Sequence, residues 1–350
     1  MDTNIPNRSP NADDIDGVLS PFCNKYFVGH KENIDYIEKS FKANKMHQAF
    51  LLSGEKGIGK QSFSLRMAYH LLSKSDDFHL SPDLNSTLWQ QITNNISQNF
   101  LYISRPYDQT AKKFKNTISI DTIRTLPKIL SHISIDKYYV IIIDSIDYLN
   151  NNSLNALLKI LEEPPQNTVF FLISHLIKPV LATIKSRAIK LNFYALPNNE
   201  VYNAVRNCLI DQNIDRGKLK SAVDKSEGNV RRAAILYSTN AKDIEAQLNN
   251  YFNNKILKYD LLQNLISKTQ NNDLIYEQFI YLLLDILNKN AKHYIQEKDP
   301  SKSNKLANFW FELQNRMLTN EILNINKHQE LANIMVELYN LFHEKSNFSK

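Results

Sequence analysis

The apolar positions of this chain change their spacing as it proceeds. They run continuously through Ala49-Phe50-Leu51-Leu52 and through Tyr138 to Ile143, just ahead of Asp144. The second run is rich in β-branched residues, which predicts a parallel strand covered on both faces. Phe100-Leu101-Tyr102-Ile103, Val169-Phe170-Phe171-Leu172-Ile173 and Ile189–Phe193 extend the set of strands. Between them the apolar residues fall at helical spacing. Ile34, Ile37 and Phe41 form one such stripe, and Phe63, Leu65, Met67, Ala68, Leu71 and Leu72 another. Ile120, Ile123, Leu126 and Leu130 mark a third helix, with Ser119 placed to cap it, Asp121 in its first turn and Pro127 to kink it or end it early. Ser153–Glu163 reads as a helix stopped by Pro164-Pro165, and a further helix is expected from about Lys178 to Ile184. Residues 74–98 read as polar and irregular. Strands alternating with helices predict a parallel α/β sheet.

After Pro197 the strand signals end. Asn198–Ile210, Lys218–Lys225 and Asn229–Tyr237 read as three short helices. From about residue 242 onward the pattern is amphipathic helix, as in Leu282, Leu283, Leu284, Ile286 and Leu287, or Leu331, Ile334, Met335, Leu338 and Leu341. No sequence repeat is visible. The expected organisation is a flexible tail over 1–20, an α/β nucleotide-type domain over 21–196, a small helical domain over 197–240 and a larger all-helical domain over 241–350.

Composition narrows the class without naming a function. A chain of 350 residues suits two or three domains, and 43% hydrophobic content can fill real cores. A net charge of +6 permits contact with nucleic acid, but the basic residues are spread along the chain as on any solvated surface. Cys23 and Cys208 are too few for a disulfide framework or a zinc site by spacing. The polar, acidic start carries no apolar segment of signal-peptide type, and no run approaches the roughly 20 apolar residues of a membrane span. A cytoplasmic protein is the expectation.

Of the seven glycines, Gly54, Gly57 and Gly59 share one loop, Gly54-Glu55-Lys56-Gly57-Ile58-Gly59-Lys60, set between a strand and a helix. That is the context of a phosphate-binding loop. Glycines let backbone N–H groups curl around phosphate oxygens, the helix N-terminus adds positive potential, and Lys60 reaches the outer phosphates. The pattern asks for Ser or Thr next, since that hydroxyl binds Mg²⁺, and here Gln61 follows. Asp144, at the end of a buried strand, stands where such an Asp orients Mg²⁺ and its water, or it caps the strand end. Active hydrolases often follow it with a Glu that polarises the attacking water; here Ser145 follows, and it cannot act as that base at neutral pH. Asp147 is placed for helix-start chemistry. Gln61 and Ser145 together predict little or no hydrolysis by this chain itself.

Asn155–Pro165 (NALLKILEEPP) reads physically as a core helix with a charged end. As a string it resembles the signature of sliding-clamp loader subunits of the AAA+ superfamily. The Gly54–Lys60 loop, Ile143-Asp144-Ser145-Ile146-Asp147 with Leu149-Asn150, Phe171-Leu172-Ile173-Ser174-His175, Ser186-Arg187-Ala188 and Gly228-Asn229-Val230-Arg231-Arg232 follow in that family's order over about residues 25–237. Within the family the likeness is to the delta prime type of bacterial DNA polymerase III. It implies an AAA+ P-loop domain, a helical lid and an all-α collar. It also implies a subunit that helps load the sliding clamp onto primer-template DNA, in the company of motor ATPase subunits and a delta-type subunit.

By the same resemblance, Ser186-Arg187-Ala188 stands for the family's Ser-Arg-Cys motif, with Ala188 in place of the Cys. Its Arg reaches into the neighbouring subunit's ATP site, and such fingers are worth roughly 10³–10⁵ in rate. The plain alternative for Arg187 is an internal ion pair near a sheet edge. Ser174 takes a sensor position able to hydrogen-bond phosphate or water, or is a strand-end hydroxyl bonded to backbone. Arg231 or Arg232 takes the second sensor position, or faces solvent or DNA. Gly54, Gly57, Gly59, Lys60, Gln61, Asp144, Ser174 and Arg231 are thus the expected nucleotide seat, with ATP held without efficient hydrolysis. Many relatives carry a four-Cys zinc module after the P-loop helix. Residues 74–99 hold no Cys, His79 alone cannot bind a structural zinc, and no metal is expected there. The alternative function is an autonomous ATP-hydrolysing motor subunit or another AAA+ ATPase.

Overall fold

Five of the apolar runs assemble into one parallel sheet. The structure, a computed structural model, describes residues 13–73, 78, 80–110, 113–131, 138–175, 182–211, 213–239, 241–254, 256–269, 272–323 and 325–343. The strands are β1 (Ala49–Ser53), β2 (Phe100–Ser104), β3 (Tyr107–Asp108), β4 (Lys113–Phe114), β5 (Tyr139–Asp144), β6 (Thr168–Ser174) and β7 (Ile189–Asn192). The sheet has the order β2-β5-β6-β1-β7, and β3 and β4 form a separate antiparallel pair. Central β6 is buried at all seven positions, as its uninterrupted apolar sequence requires of a strand covered on both faces. Phe50 and Phe171 stack across β1 and β6 with ring centroids 5.6 Å apart.

Two local expectations are met by visible chemistry. Ser119 caps the helix Ile120–Arg124 by accepting from Thr122 N, and the pattern breaks at Thr125 into a second short helix, Leu126–Leu130, with Pro127 in its first turn. Asn151–Glu162 is capped by Asn150, whose side chain accepts from Ser153 N, and buries Leu154, Leu157 and Leu161. Residues 74–98 correct the expectation of irregular chain, because Thr87–Thr93 is a helix. Ser86 caps it, and its Trp89 and Ile92, one helical turn apart, are fully buried. Trp89 meets the Tyr69 ring edge-on and donates its indole N–H to Phe22 O at 3.0 Å. The surrounding polar residues hid that two-residue stripe. The start of the helix expected at Lys178 and the residue His79 lie outside the described residues; the turn Ala182–Lys185 is helical.

The chain divides into two units. The first takes the chain up to Ile214 together with Glu227–Arg231; the second takes Asp215–Ser226 and everything from Arg232 on. Residues of the segment 197–240 fall in both units. Residues 1–12 of the expected tail lie outside the described residues, whereas 13–20 are seated in the first unit. Val18 bridges antiparallel to Leu209, Leu19 N donates to Cys208 O at 2.7 Å, and Ile210 N donates to Gly17 O at 3.1 Å. The second unit is all helix among its described residues. Its longest described elements are Asp273–Gln296 and Pro300–Leu323, which pack along one another, followed by Lys327–His343. Leu282, Leu283, Leu284, Leu287, Leu331, Ile334, Met335 and Leu338 fill its core. Among the described residues no helix is long and apolar enough to cross a membrane.

Candidate functional site

The phosphate-loop sequence adopts the geometry it predicts. β1 ends at Ser53, the loop turns through Gly54–Gly59, and a helix runs from Lys60 to Leu72. Gly57 has φ +85°, and a Cβ on it would stand 2.3 Å from the Arg231 Cβ and 2.9 Å from Asn229 Oδ1, so no other residue fits. The reason is that residues 229–231 lie directly on the loop. Arg231 N donates to Gly57 O at 3.1 Å, and Asn229 Nδ2 donates to Lys56 O at 2.8 Å. Lys60 is 2% exposed and donates Nζ to Gly54 O at 2.7 Å and Glu55 O at 2.5 Å. Burial pulls its ammonium down to about 7, against the opposing pull of Asp144 and Asp147.

On the other flank of the loop, Gln61 Nε2 donates to the Tyr102 hydroxyl at 2.6 Å, and that hydroxyl donates to Asp144 Oδ2, also at 2.6 Å. Burial, then the nearby Asp13, pushes the Asp144 carboxyl up to about 6, with Tyr102 and Lys60 pulling the other way. His175 Nε2 lies 3.8 Å from Asp144 Oδ1, and burial followed by Lys60 and Lys56 holds its imidazole well below the ordinary range, hence neutral. Asp147 collects the remaining donors. Ser145 Oγ and Ser174 Oγ each reach it at 2.9 Å, and His175 N at 2.5 Å. Ser174 thus bonds a carboxylate, not backbone. Ser145 is fully buried and serves as cap to the turn Ile146–Tyr148.

These residues fit the two parts of a nucleotide–metal complex unequally. The glycine turn, Lys60 and Arg231 are the donor set a phosphate chain needs. The metal side does not fit. Mg²⁺ asks for oxygen ligands in near-octahedral geometry, yet the residue after Lys60 turns an amide nitrogen to Tyr102, and Asp144 Oδ2 accepts from that same tyrosine. Among the described residues no group of three or more His, Cys, Asp and Glu side chains is arranged to hold a metal ion.

Asp13 brings an anion to the phosphate side. Its Oδ1 lies 2.8 Å from Lys56 Nζ and 4.0 Å from Arg231 NH2, and Arg231 NH1 donates to its backbone carbonyl. Burial alone would raise this carboxyl, but Lys56 and Arg231 outweigh it and hold it well below the usual carboxylate range. Its field reaches Lys60, Asp144 and His175. An internal carboxylate therefore sits among the cations of the loop.

Arg187 stands apart from all of this. β7 pairs with β1 from Phe50↔Ile189 to Ser53↔Asn192. Arg187, two residues before β7, is therefore at the end of the sheet where β1 begins, while the loop leaves from the end where β1 stops. At 3.2–3.4 Å per residue, the length of β1 alone separates them by roughly 13 Å. Arg187 NH2 donates to Glu162 Oε1 at 2.6 Å, and NH1 donates to Thr183 O and Ser186 Oγ, both at 3.0 Å. The internal ion pair near a sheet edge is present. Arg232 is fully buried in the second unit, its guanidinium 5.1 Å from the centre of the Tyr281 ring.

The structure thus gathers Gly54, Gly57, Gly59, Lys60, Gln61, Asp144, Ser174 and Arg231 into one region and leaves Arg187 outside it. It adds Asp13, Tyr102, Asn229 and His175, which sequence reasoning did not place there. Tyr102 left a signal, since a tyrosine within a buried strand must find a partner for its hydroxyl. Asp13 left none.

A family model described as DNA polymerase III, delta subunit, matches residues 29–197. The gamma subunit of DNA polymerase III from Buchnera aphidicola subsp. Schizaphis graminum is 29% identical over 61% of this chain and 56% of its own. The delta prime subunit from Escherichia coli is 26% identical over 49% of this chain and 50% of its own. The chain thus spans about half the length of these curated relatives. A gamma-subunit-related protein of known structure from Thermotoga maritima is 17% identical, with a TM-score of 0.45 over 88% of this chain and 99% of that one. The family model covers just under half of the chain, and over that part the chain is similar to the gamma, tau and delta prime subunits of DNA polymerase III.

Proposed function

We propose that this chain is a delta-prime-type, non-motor subunit of the clamp loader. It works within a hetero-oligomer of motor ATPase subunits and a delta-type subunit, and helps set the sliding clamp on primer-template DNA. Its own nucleotide seat binds ATP without efficient turnover, and its contribution to catalysis is Arg187, supplied to a neighbour's ATP site. One observation carries the reading: Arg187 lies at the opposite end of the sheet from the chain's own phosphate loop, so a reacting phosphate within its reach belongs to another chain. Gln61 bound to Tyr102, and Ser145 buried as a cap, support the loss of turnover. In this reading the second unit supplies the collar, and contact with DNA is to backbone phosphates, salt-sensitive and independent of sequence.

The test is ATP hydrolysis by the loader reconstituted with its motor and delta-type subunits, clamp and primed DNA, comparing wild type with Arg187→Ala. A trans-acting arginine is worth roughly 10³–10⁵ in rate, so the site that depends on it should fall silent while the complex still assembles. Unchanged single-turnover rates in an intact complex would show that Arg187 serves no neighbour.

A further inference from the structure

The signature helix and the Ser-Arg-Ala segment meet at one point. Glu162 is the last residue of the helix Asn151–Glu162, and its carboxylate takes the Arg187 guanidinium at 2.6 Å. Both border a cleft of about 530 Å³ that also includes His47, Pro164 and Ser186. We infer that Glu162 is the positioning residue for Arg187: it fixes the guanidinium in the orientation in which a neighbouring subunit's phosphate meets it. This rests on the reading of Arg187 as a trans-acting finger.

Three observations lead there. First, Glu162 breaks a local rule. Acidic side chains at a helix C-terminus oppose the helix dipole, yet this helix ends in Glu162 and Glu163, with Lys159 alone as the basic residue of its last turn. A residue that costs the helix something is a candidate for a role beyond the helix. Second, the pair is not there for stability. The Glu162 and Arg187 side chains are 51% and 29% exposed, and exposed pairs contribute little to folding. Third, the contacts divide the guanidinium. NH1 is committed to Thr183 O and Ser186 Oγ, while NH2 spends one of its two hydrogens on Glu162. Arg187 is thereby held at both terminal nitrogens with an NH2 hydrogen left to donate, and a planar guanidinium so fixed loses little freedom when an anion arrives.

Glu162→Ala, Glu162→Gln, Arg187→Ala and the double variant separate the possibilities in the reconstituted loader, with assembly checked by co-elution. Misplacing a catalytic group by about 1 Å can cost 10²-fold, so Glu162→Ala should slow the Arg187-dependent turnover about tenfold with the KM for ATP unchanged. Glu162→Gln, which keeps an acceptor at Oε1, should recover most of that rate. Adding Glu162→Ala to Arg187→Ala should change nothing further, since a positioning residue has no effect once its object is gone. If Arg187→Ala slows turnover but Glu162→Ala leaves it unchanged or raises it, the positioning role is wrong and the finger stands. If Glu162→Ala slows the Arg187→Ala background equally, its effect is structural and the inference falls. If Arg187→Ala itself has no effect, the underlying reading fails first.

Discussion

Gln61 donates its side-chain amide to the hydroxyl of Tyr102 at 2.6 Å, and Tyr102 in turn donates to Asp144. Two positions that a hydrolytic phosphate loop devotes to a metal ion are here joined to each other through a phenol. The substitution seen in the sequence has become a hydrogen-bonded strut between the loop helix, β2 and β5.

In the proposed reading, that strut should leave nucleotide binding indifferent to magnesium. The affinity of the isolated chain for a fluorescent ATP analogue should agree within about twofold between Mg²⁺ and EDTA, because the loop offers the metal no hydroxyl oxygen and Asp144 Oδ2 is taken by Tyr102. Gln61→Thr should restore a magnesium dependence. Turnover of ATP by the wild-type chain alone should be negligible. A rate of several per minute, abolished by Lys60→Ala, would mean that this chain is a motor after all.

Asp13 lies against Lys56 and Arg231, two cations beside the phosphate loop, where it would compete with a bound phosphate. Asp13→Asn removes the charge while keeping the shape, so nucleotide should bind about tenfold more tightly, a gain of about 1.4 kcal/mol. Equilibrium titration with the same analogue checks this, and equal or weaker binding by the variant would show that Asp13 does not occupy a place the phosphates need.

Asp144 ties stability to pH. Its carboxyl is pushed up to about 6 from the ordinary 3.8, so between those values the folded chain holds a proton that the unfolded chain has released. Stability from this group is complete below pH 3.8 and is lost as pH rises through 6, by about 1–3 kcal/mol. Asp144→Asn cannot ionise. Melting curves of the two proteins should therefore separate in favour of the variant as pH goes from 4.5 to 7.5, and curves that stay parallel would contradict the assignment.

Arg66 is a buried cation that binds backbone. It is fully buried and donates to Ser62 O at 2.9 Å, Asn24 O at 2.7 Å and Tyr26 O at 2.6 Å. Arg66→Met would strand Asn24 and Tyr26 carbonyls that the residues before the first helix cannot easily satisfy. The expected loss is about 2–4 kcal/mol, read as a drop in melting temperature of several degrees.

How much of this was legible beforehand follows the range of each interaction. The strands were visible because burial on both faces makes a strand continuously apolar. The phosphate loop was visible because Gly57, Gly59 and Lys60 are neighbours in sequence, and the split at Thr125 because Pro127 acts locally. Thr87–Thr93 was missed because Trp89 and Ile92 are too short a stripe to stand out among polar residues. Arg187 was singled out with two readings; the geometry shows the ion pair of one, and the other stands as the proposal above.

The sequence by itself determined the parallel sheet, the loop, and the departures at Gln61 and Ser145, since each is written in residues close together in the chain. Only the tertiary structure decided that Asp13 lies against Lys56 and Arg231, that Tyr102 joins Gln61 to Asp144, and that Glu162 holds Arg187. Those pairs are separated by 43, 218, 41, 42 and 25 residues. The physical reason is that a charge or a hydroxyl carries no periodicity. An apolar residue announces through its spacing the face it will bury, whereas an ionic or hydrogen-bonding partner is known only when folding has brought two distant segments within 3 Å.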